Sequence, residues 1–322
     1  MSLDDPVIAV IGAGAVGGYY GARFIQHGHR VHLLTHSDCD SIRHSGMQIR
    51  SRDGDFSLPA KQINVYDDPR AMPKADLVVV TLKTTANDRL AELVGPVVKD
   101  DSIILTLQNG LGNEELLQGL FGESRIVGGM AFVCINRTGP GQISHTDHGM
   151  IRLGEPRGGI SDRAKKIARL FTDGGVPCDV LDDLAFGRWD KLIWNVPFNG
   201  LGAALDMTTD QLIGSKEGLS LVTKICEEVI AACRPLNICF DLNVIEEKIR
   251  HTQTMGPYKT SMQIDRQMQR QMEIEAIIGR PLQAARTNSV QTPYMEMLYS
   301  MLCLLNMPFN VKKQCTVKFA KF

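Results

Sequence analysis

The sequence lacks any apolar run long enough to span a bilayer. Its longest nearly apolar stretch, Met297 to Met307, is bounded by Glu296 and contains Asn306, which leaves it far short of the roughly 20 residues a spanning helix needs. It also lacks a charge excess. With 35 basic and 36 acidic side chains, nothing pulls the whole chain toward nucleic acid or an anionic membrane, so binding must come from a local site. The eight cysteines (39, 134, 178, 226, 233, 239, 303 and 315) form no C-x-x-C pair, and a chain this long needs no disulfide framework, so reduced thiols are expected. The start, MSLDDP, shows no basic segment leading into an apolar one, which speaks against secretion and for a cytoplasmic protein. Hydrophobic residues at 43% and charged residues at 22% are ordinary for a folded chain, and 322 residues exceed what one core usually holds. Two domains are therefore expected.

The first half alternates strand and helix signals. Val7 to Ile11 is apolar and partly β-branched and ends in Gly12-Ala13-Gly14-Ala15-Val16-Gly17. A helix-compatible segment follows from Tyr19 to His27, Gly28 stops it, and Arg30 to Thr35 is a second apolar run, which makes a βαβ unit. Gly12, Gly14 and Gly17 fill the G-x-G-x-x-G pattern. In that pattern the glycines turn the chain tightly, admit a pyrophosphate to the backbone and pack helix on strand, and the helix amides face the phosphates. The expected ligand is a dinucleotide. The second strand ends in Leu34-Thr35-His36-Ser37, without the acid that holds ribose hydroxyls in NAD enzymes, which favours NADP. His36 and Arg43 are the candidates for its extra phosphate, the alternative being that both are solvated surface residues.

Further strands are expected over 77–82, 102–107 and 125–132, each ending in a polar segment. Lys83 and Asn109 fall at those carboxyl ends, where open parallel sheets bind ligands; otherwise Lys83 is an exposed lysine and Asn109 a turn residue before Gly110. Gly139-Pro140-Gly141 reads as a hairpin. His145 and His148 lack a third ligand at suitable spacing, and strand alternation would turn them to opposite faces, so no metal is expected.

After Asp182 the pattern becomes helical, with helices expected over 184–205, 209–236, 242–254, 273–278 and 290–305. The expected architecture is α/β: an N-terminal Rossmann-type, doubly wound parallel sheet over 1–182, then an all-α domain over 183–322. On the first of these helices Lys191, Asn195 and Asn199 recur every fourth residue, spread over roughly 80° of one face. A cation and two amides there can protonate a developing alkoxide and hold a hydroxyl or carboxylate. The neighbouring Trp189, Leu192, Ile193, Trp194 and Phe198 argue that this face is buried rather than solvated. Ser261 and Glu273 cannot share a face of one helix at their spacing. By pattern alone, Ser261 reads as a cap after Gly256-Pro257 and Glu273 as a surface charge.

Taken together, VIAVIGAGAVGG, LVVVTLKTT, LQNGLGNEE, IVGGMAFV with GPGQISH, FGRWDKLIWNVPFNGLGA, TSMQIDRQMQRQMEIEAIIG and TPYMEMLYSML resemble the ketopantoate reductase family, from Val7 to about Leu304. The resemblance implies NADPH-dependent reduction of ketopantoate to pantoate, toward pantothenate and coenzyme A. Lys191 matches the family's general acid, and Glu273 the acid that holds the substrate hydroxyl. Asn195, Asn199 and Ser261 match substrate-binding groups, while Asn109 and Lys83 match groups near nicotinamide and substrate. His36 departs from the arginine that relatives often carry. Another 2-oxo acid substrate, or a non-catalytic NADP-binding protein, are the competing readings, and a buried proton donor argues against the second. The apolar faces of the helical half fit a homodimer, whose interface the sequence does not name. The lysine-bearing tail from Lys312 to Phe322 is assigned no function.

Overall fold

The computed structural model describes Leu3 and residues 5–314, with side chains described to residue 307; most of the lysine-bearing tail lies outside the described residues. By contacts the chain forms two compact units. The first is Met1–Asn109 with Asn113–Gly187, and the second is Gly110–Gly112 with Arg188–Phe322. The division of the main chain thus falls inside a helix, between Gly187 and Arg188, while the composition change places it at 182.

Among the described residues the first unit carries ten strands: β1 (Val7–Ile11), β2 (Arg30–Leu34), β3 (Met47–Ser51), β4 (Phe56–Leu58), β5 (Asn64–Tyr66), β6 (Ala75–Val80), β7 (Val98–Thr106), β8 (Ile126–Gly139), β9 (Gln142–Gly154) and β10 (Cys178–Leu181). They form one sheet in the order β4-β3-β9-β8-β7-β6-β1-β2-β5, with β10 beside β9. From β5 to β8 every pairing is parallel. The antiparallel β8–β9 hairpin and the antiparallel β3–β4 pair extend it. Its helices are α1 (Ala15–Gln26), α2 (Cys39–Ser45), α3 (Leu90–Val94), α4 (Asn113–Phe121) and α5 (Asp162–Asp173).

The parallel strands are apolar throughout because both faces are covered. Ile8, Val10, Leu77, Val79, Ile103 and Leu105 join one core with Tyr20 and Phe24 of α1 and Phe171 of α5. Their strand neighbours Ala9, Ile11, Val78, Val80 and Ile104 join another with Leu90, Leu93 and Val94 of α3 and Leu117 of α4. Alternation along each strand therefore feeds two helical layers.

The strand expected over 125–132 is present and runs on to Gly139 as the first arm of a long hairpin, whose tip is the Gly-Pro-Gly turn. Regular alternation does not separate His145 from His148, because β9 is bulged there and His148 adopts φ 59°. Buried His145 locks the bulge: one ring nitrogen meets Ser51 Oγ at 2.9 Å, and Nε2 meets the carbonyls of Asp147 and His148 at 3.1 and 3.0 Å.

The second unit is built from α6 (Leu184–Leu205, entering from the first unit), α7 (Thr209–Gly214), α8 (Lys216–Cys233), α9 (Asn243–Met255), α10 (Ser261–Gln267), α11 (Arg280–Thr287) and α12 (Pro293–Gln314). The single helix expected over 209–236 is broken at Ser215, which is extended and caps α8 by accepting from Gly218 N, a stop-and-restart that serine favours. The helix expected over 273–278 is a π-turn, Glu275–Gly279, running into α11. Pro281 has no N–H for the usual ladder, and a widened turn just before it accommodates that loss. The core of this unit gathers Ile193, Val196 and Phe198 of α6, Val222, Ile225 and Cys226 of α8, and Ile277, Ile278 and Leu302.

Candidate active site

In the first unit the glycine loop has a distinct packing role at each position. Gly12 adopts φ +98°, and a Cβ there would stand 2.9 Å from Leu82 N. At Gly17 a Cβ would meet Thr81 Oγ1 at 2.2 Å and Gly12 O at 2.6 Å, so α1 can approach β1 and β6 only with hydrogen at this position. At Gly14 the nearest atom to a Cβ would be 3.9 Å away, so the side on which a ligand would approach is open. Gly12 and Ala13 donate to Leu34 O at 3.1 and 2.8 Å, fixing the loop on the end of β2. Among the described residues no side chain caps α1, so the amides of Ala15, Val16 and Gly17, which lack intrahelical acceptors, form an anion-receiving end. Open space at Gly14 and uncapped amides fit a dinucleotide pyrophosphate.

Around that loop, Lys83 is exposed and follows Leu82, and Asn109 is half-buried. Residues that pattern reading missed stitch these ends together. Buried Gln108 donates to Leu82 O at 3.0 Å and Asn87 Oδ1 at 2.8 Å. Asn87 then donates to Asn113 Oδ1 at 3.1 Å, and Asn113 to Asn109 O at 3.0 Å. Runs of buried amides need partners, and the density of amides in LQNGLGN was the available signal. At the end of β2, His36 is exposed. Arg43 is also exposed, its guanidinium 3.4 Å from Asp67 and 3.6 Å from Asp40, two acids that weaken it as a phosphate ligand. Asp38 is buried and paired to Arg137.

In the second unit, α6 turns its polar face inward. Asn195 and Asn199 are buried, as are Arg188 and Glu273, so the face bearing these amides is not a solvated stripe. Lys191 is half-buried as a residue while its ammonium end is enclosed. Burial pushes the ammonium down, the Arg188 cation pushes the same way, and the Glu273 carboxylate opposes both, leaving its pKa at about 7. Lys191 and Glu273 are therefore within electrostatic reach of one another, although 82 positions separate them. Arg188, one turn before the lysine, is a second group that sequence reading missed; an arginine in an otherwise apolar turn was its only mark.

Ser261 opens α10, but the cap is Thr260, whose hydroxyl accepts from Gln263 N at 3.4 Å. Ser261 Oγ instead donates to Asn199 Oδ1 at 3.3 Å, and Met262 N donates to the same oxygen at 3.3 Å. Holding Oδ1 this way leaves Nδ2 as the group of Asn199 that can donate to a ligand. Trp194 stacks on Phe198 with centroids 4.9 Å apart and donates to Thr252 Oγ1 at 2.9 Å. Asp190 is paired with Lys248 at 2.7 Å. Gly110–Gly112 belong to this unit through the π-turn: Leu111 N donates to Ala276 O at 2.9 Å, and a Cβ on Gly110 would fall 2.2 Å from that oxygen.

A doubly covered sheet with an uncapped glycine loop, followed by helices that bury a lysine among amides and a carboxylate, defines a Rossmann-type oxidoreductase. The family model for ketopantoate reductase PanE/ApbA matches residues 8–158, and its C-terminal counterpart matches residues 183–306. The 2-dehydropantoate 2-reductase of Nostoc sp. is 42% identical over 309 residues, covering 94% of this chain and 96% of the relative. Among solved structures, 2-dehydropantoate 2-reductase from Geobacter metallireducens superposes with TM-score 0.89 at 42% identity, covering 92% of this chain and 98% of the other. The enzyme of that name from Methylococcus capsulatus gives 0.83 at 31%, covering 94% and 97%. The chain belongs to the ketopantoate reductase family.

Proposed function

We propose that the chain reduces 2-dehydropantoate (ketopantoate) to pantoate with NADPH. The observation that carries this reading is the enclosed Lys191 ammonium, held at about 7 by burial and Arg188 against Glu273, on the helix face that also buries Asn195 and Asn199. Reduction of a ketone needs a hydride at carbon and a proton at oxygen. When bound, NADPH supplies the hydride.

The proton falls to this chain. A charged Lys191 polarises the carbonyl oxygen, stabilises the nascent alkoxide and transfers its proton to it, work worth roughly 10²- to 10⁴-fold in rate. A pKa near the working pH suits a group that must give up a proton and regain one each turnover. Glu273 keeps enough of Lys191 protonated and accepts from a substrate hydroxyl. Asn199, oriented by Ser261, donates through Nδ2 to the substrate, with Asn195 beside it on the helix. In the first unit, Gly12, Ala13, Gly14, Ala15, Val16 and Gly17 receive the pyrophosphate, and Asn109 and Lys83 line the nicotinamide end.

The test is the oxidation of NADPH, and separately of NADH, by the purified protein with ketopantoate and with a panel of other branched 2-oxo acids. Ketopantoate with NADPH is expected to give the highest kcat/KM. A clear rate with another acid and none with ketopantoate would refute the substrate assignment, and tight NADPH binding with no turnover on any acid would refute the enzymatic one.

A further inference from the structure

We infer that Arg137, reaching from the tip of the β8–β9 hairpin, is the group that recognises the 2′-phosphate of NADPH; this rests on the cofactor reading above. The loop after β2 offers no permanent cation of its own, since His36 stands there. Arg43 is exposed and lies 3.4 Å from Asp67 and 3.6 Å from Asp40, whose negative charges oppose binding of a phosphate there.

Arg137 arrives from 100 residues away and donates through Nη1 to Ser37 Oγ at 2.9 Å and to the Asp38 carboxylate. The pair is polarised by burial: the Asp38 side chain is 3% exposed and the Arg137 side chain 34%. Its anion is inside and its cation faces out. The Nε and Nη2 donors of Arg137 meet no acceptor among the described residues, which leaves one edge of the guanidinium for a phosphate. A planar fork of donors is the group best matched to phosphate oxygens.

The same geometry occupies Asp38, the buried carboxylate nearest the end of β2. Its oxygens already accept from Ser37 Oγ at 2.7 Å, Gly141 N at 3.2 Å and Arg137, so it is not offered to the hydroxyls that an NAD enzyme would hold. The hairpin tip is fixed against the chain that follows α2. Gln48 N donates to Gly141 O at 2.9 Å, and a Cβ on Gly141, at φ +66°, would fall 2.8 Å from Gly46 O. Arg137 is thereby held at the end of β2, where a Rossmann unit receives the adenosine ribose.

Calorimetric titration with 2′,5′-ADP and with 5′-AMP tests this without turnover. Because Arg137→Ala alone strands a buried carboxylate, it is compared with the double variant Arg137→Ala/Asp38→Asn. Wild type is expected to bind 2′,5′-ADP the more tightly. The double variant should lose ~10- to 100-fold of that affinity, the size of a charge-assisted contact, while 5′-AMP binding changes less than about 2-fold. Full retention of the 2′,5′-ADP preference, or an equal loss for both ligands, overturns the assignment and leaves the NADPH reading standing. No preference in wild type overturns both.

Discussion

The two units use buried polar groups in opposite ways. In the sheet unit, apolar strands fill both layers, and the proposed cofactor cradle is made of backbone amides and of groups at the strand ends, as at Gly14 and Gln108. In the helical unit, side chains that are costly to bury (Arg188, Glu273, Asn195 and Asn199) are buried, and Lys191 is half-buried beside them on α6. A backbone cradle can bind a cofactor but has no proton to give. A desolvated ammonium opposed by a carboxylate can give one, and the price is an expensive burial. The comparison teaches that binding and proton transfer rest on different physical resources and should fail separately.

The sharpest way to break that comparison is Lys191→Ala. Loss of the proton donor should cut kcat by about 10³-fold while the dissociation constant for NADPH, read by fluorescence quenching, moves less than 2- to 3-fold. A parallel collapse of cofactor binding would mean that the helical unit holds the dinucleotide as well. Gly17→Ala tests the other half. Its Cβ would enter the space of Thr81 Oγ1 and Gly12 O, at 2.2 and 2.6 Å, and overpacking of this kind costs about 1–3 kcal/mol. NADPH affinity should weaken on the order of 10-fold, with a lower Tm, while the pH dependence of the residual rate stays that of wild type.

How much was legible in the sequence follows the same division. The glycine loop, β1, β2 and the lysine helix are local: strand apolarity, glycine spacing and 3.6-residue periodicity are carried by consecutive residues, and α6 spans the expected 184–205. The contacts that complete each site are not local. Ser261 reads as a cap by pattern and is instead the hydrogen-bond donor that orients Asn199, 62 positions away. The π-turn after Glu273 arises from Pro281 within a helix that periodicity cuts short at residue 278. Arg137 is ordinary by every pattern and matters because a hairpin folds back on the β2 end. The Gln108–Asn87–Asn113 chain likewise exists only once β6 and β7 lie side by side.

The central claim is that the proton comes from Lys191, and the pH dependence of kcat/KM for ketopantoate reduction, which reports the free enzyme's acid, tests it most directly. A donor held at about 7 must be protonated to act, so the rate should be full on the acid side and fall tenfold per pH unit once the pH rises past that value. Glu273 opposes the downward push on Lys191, so Glu273→Gln should move this falling limb to lower pH, by roughly a unit for a single nearby charge. A rate that stays level through pH 9, or a limb that moves upward in Glu273→Gln, would contradict the assignment of the proton to Lys191.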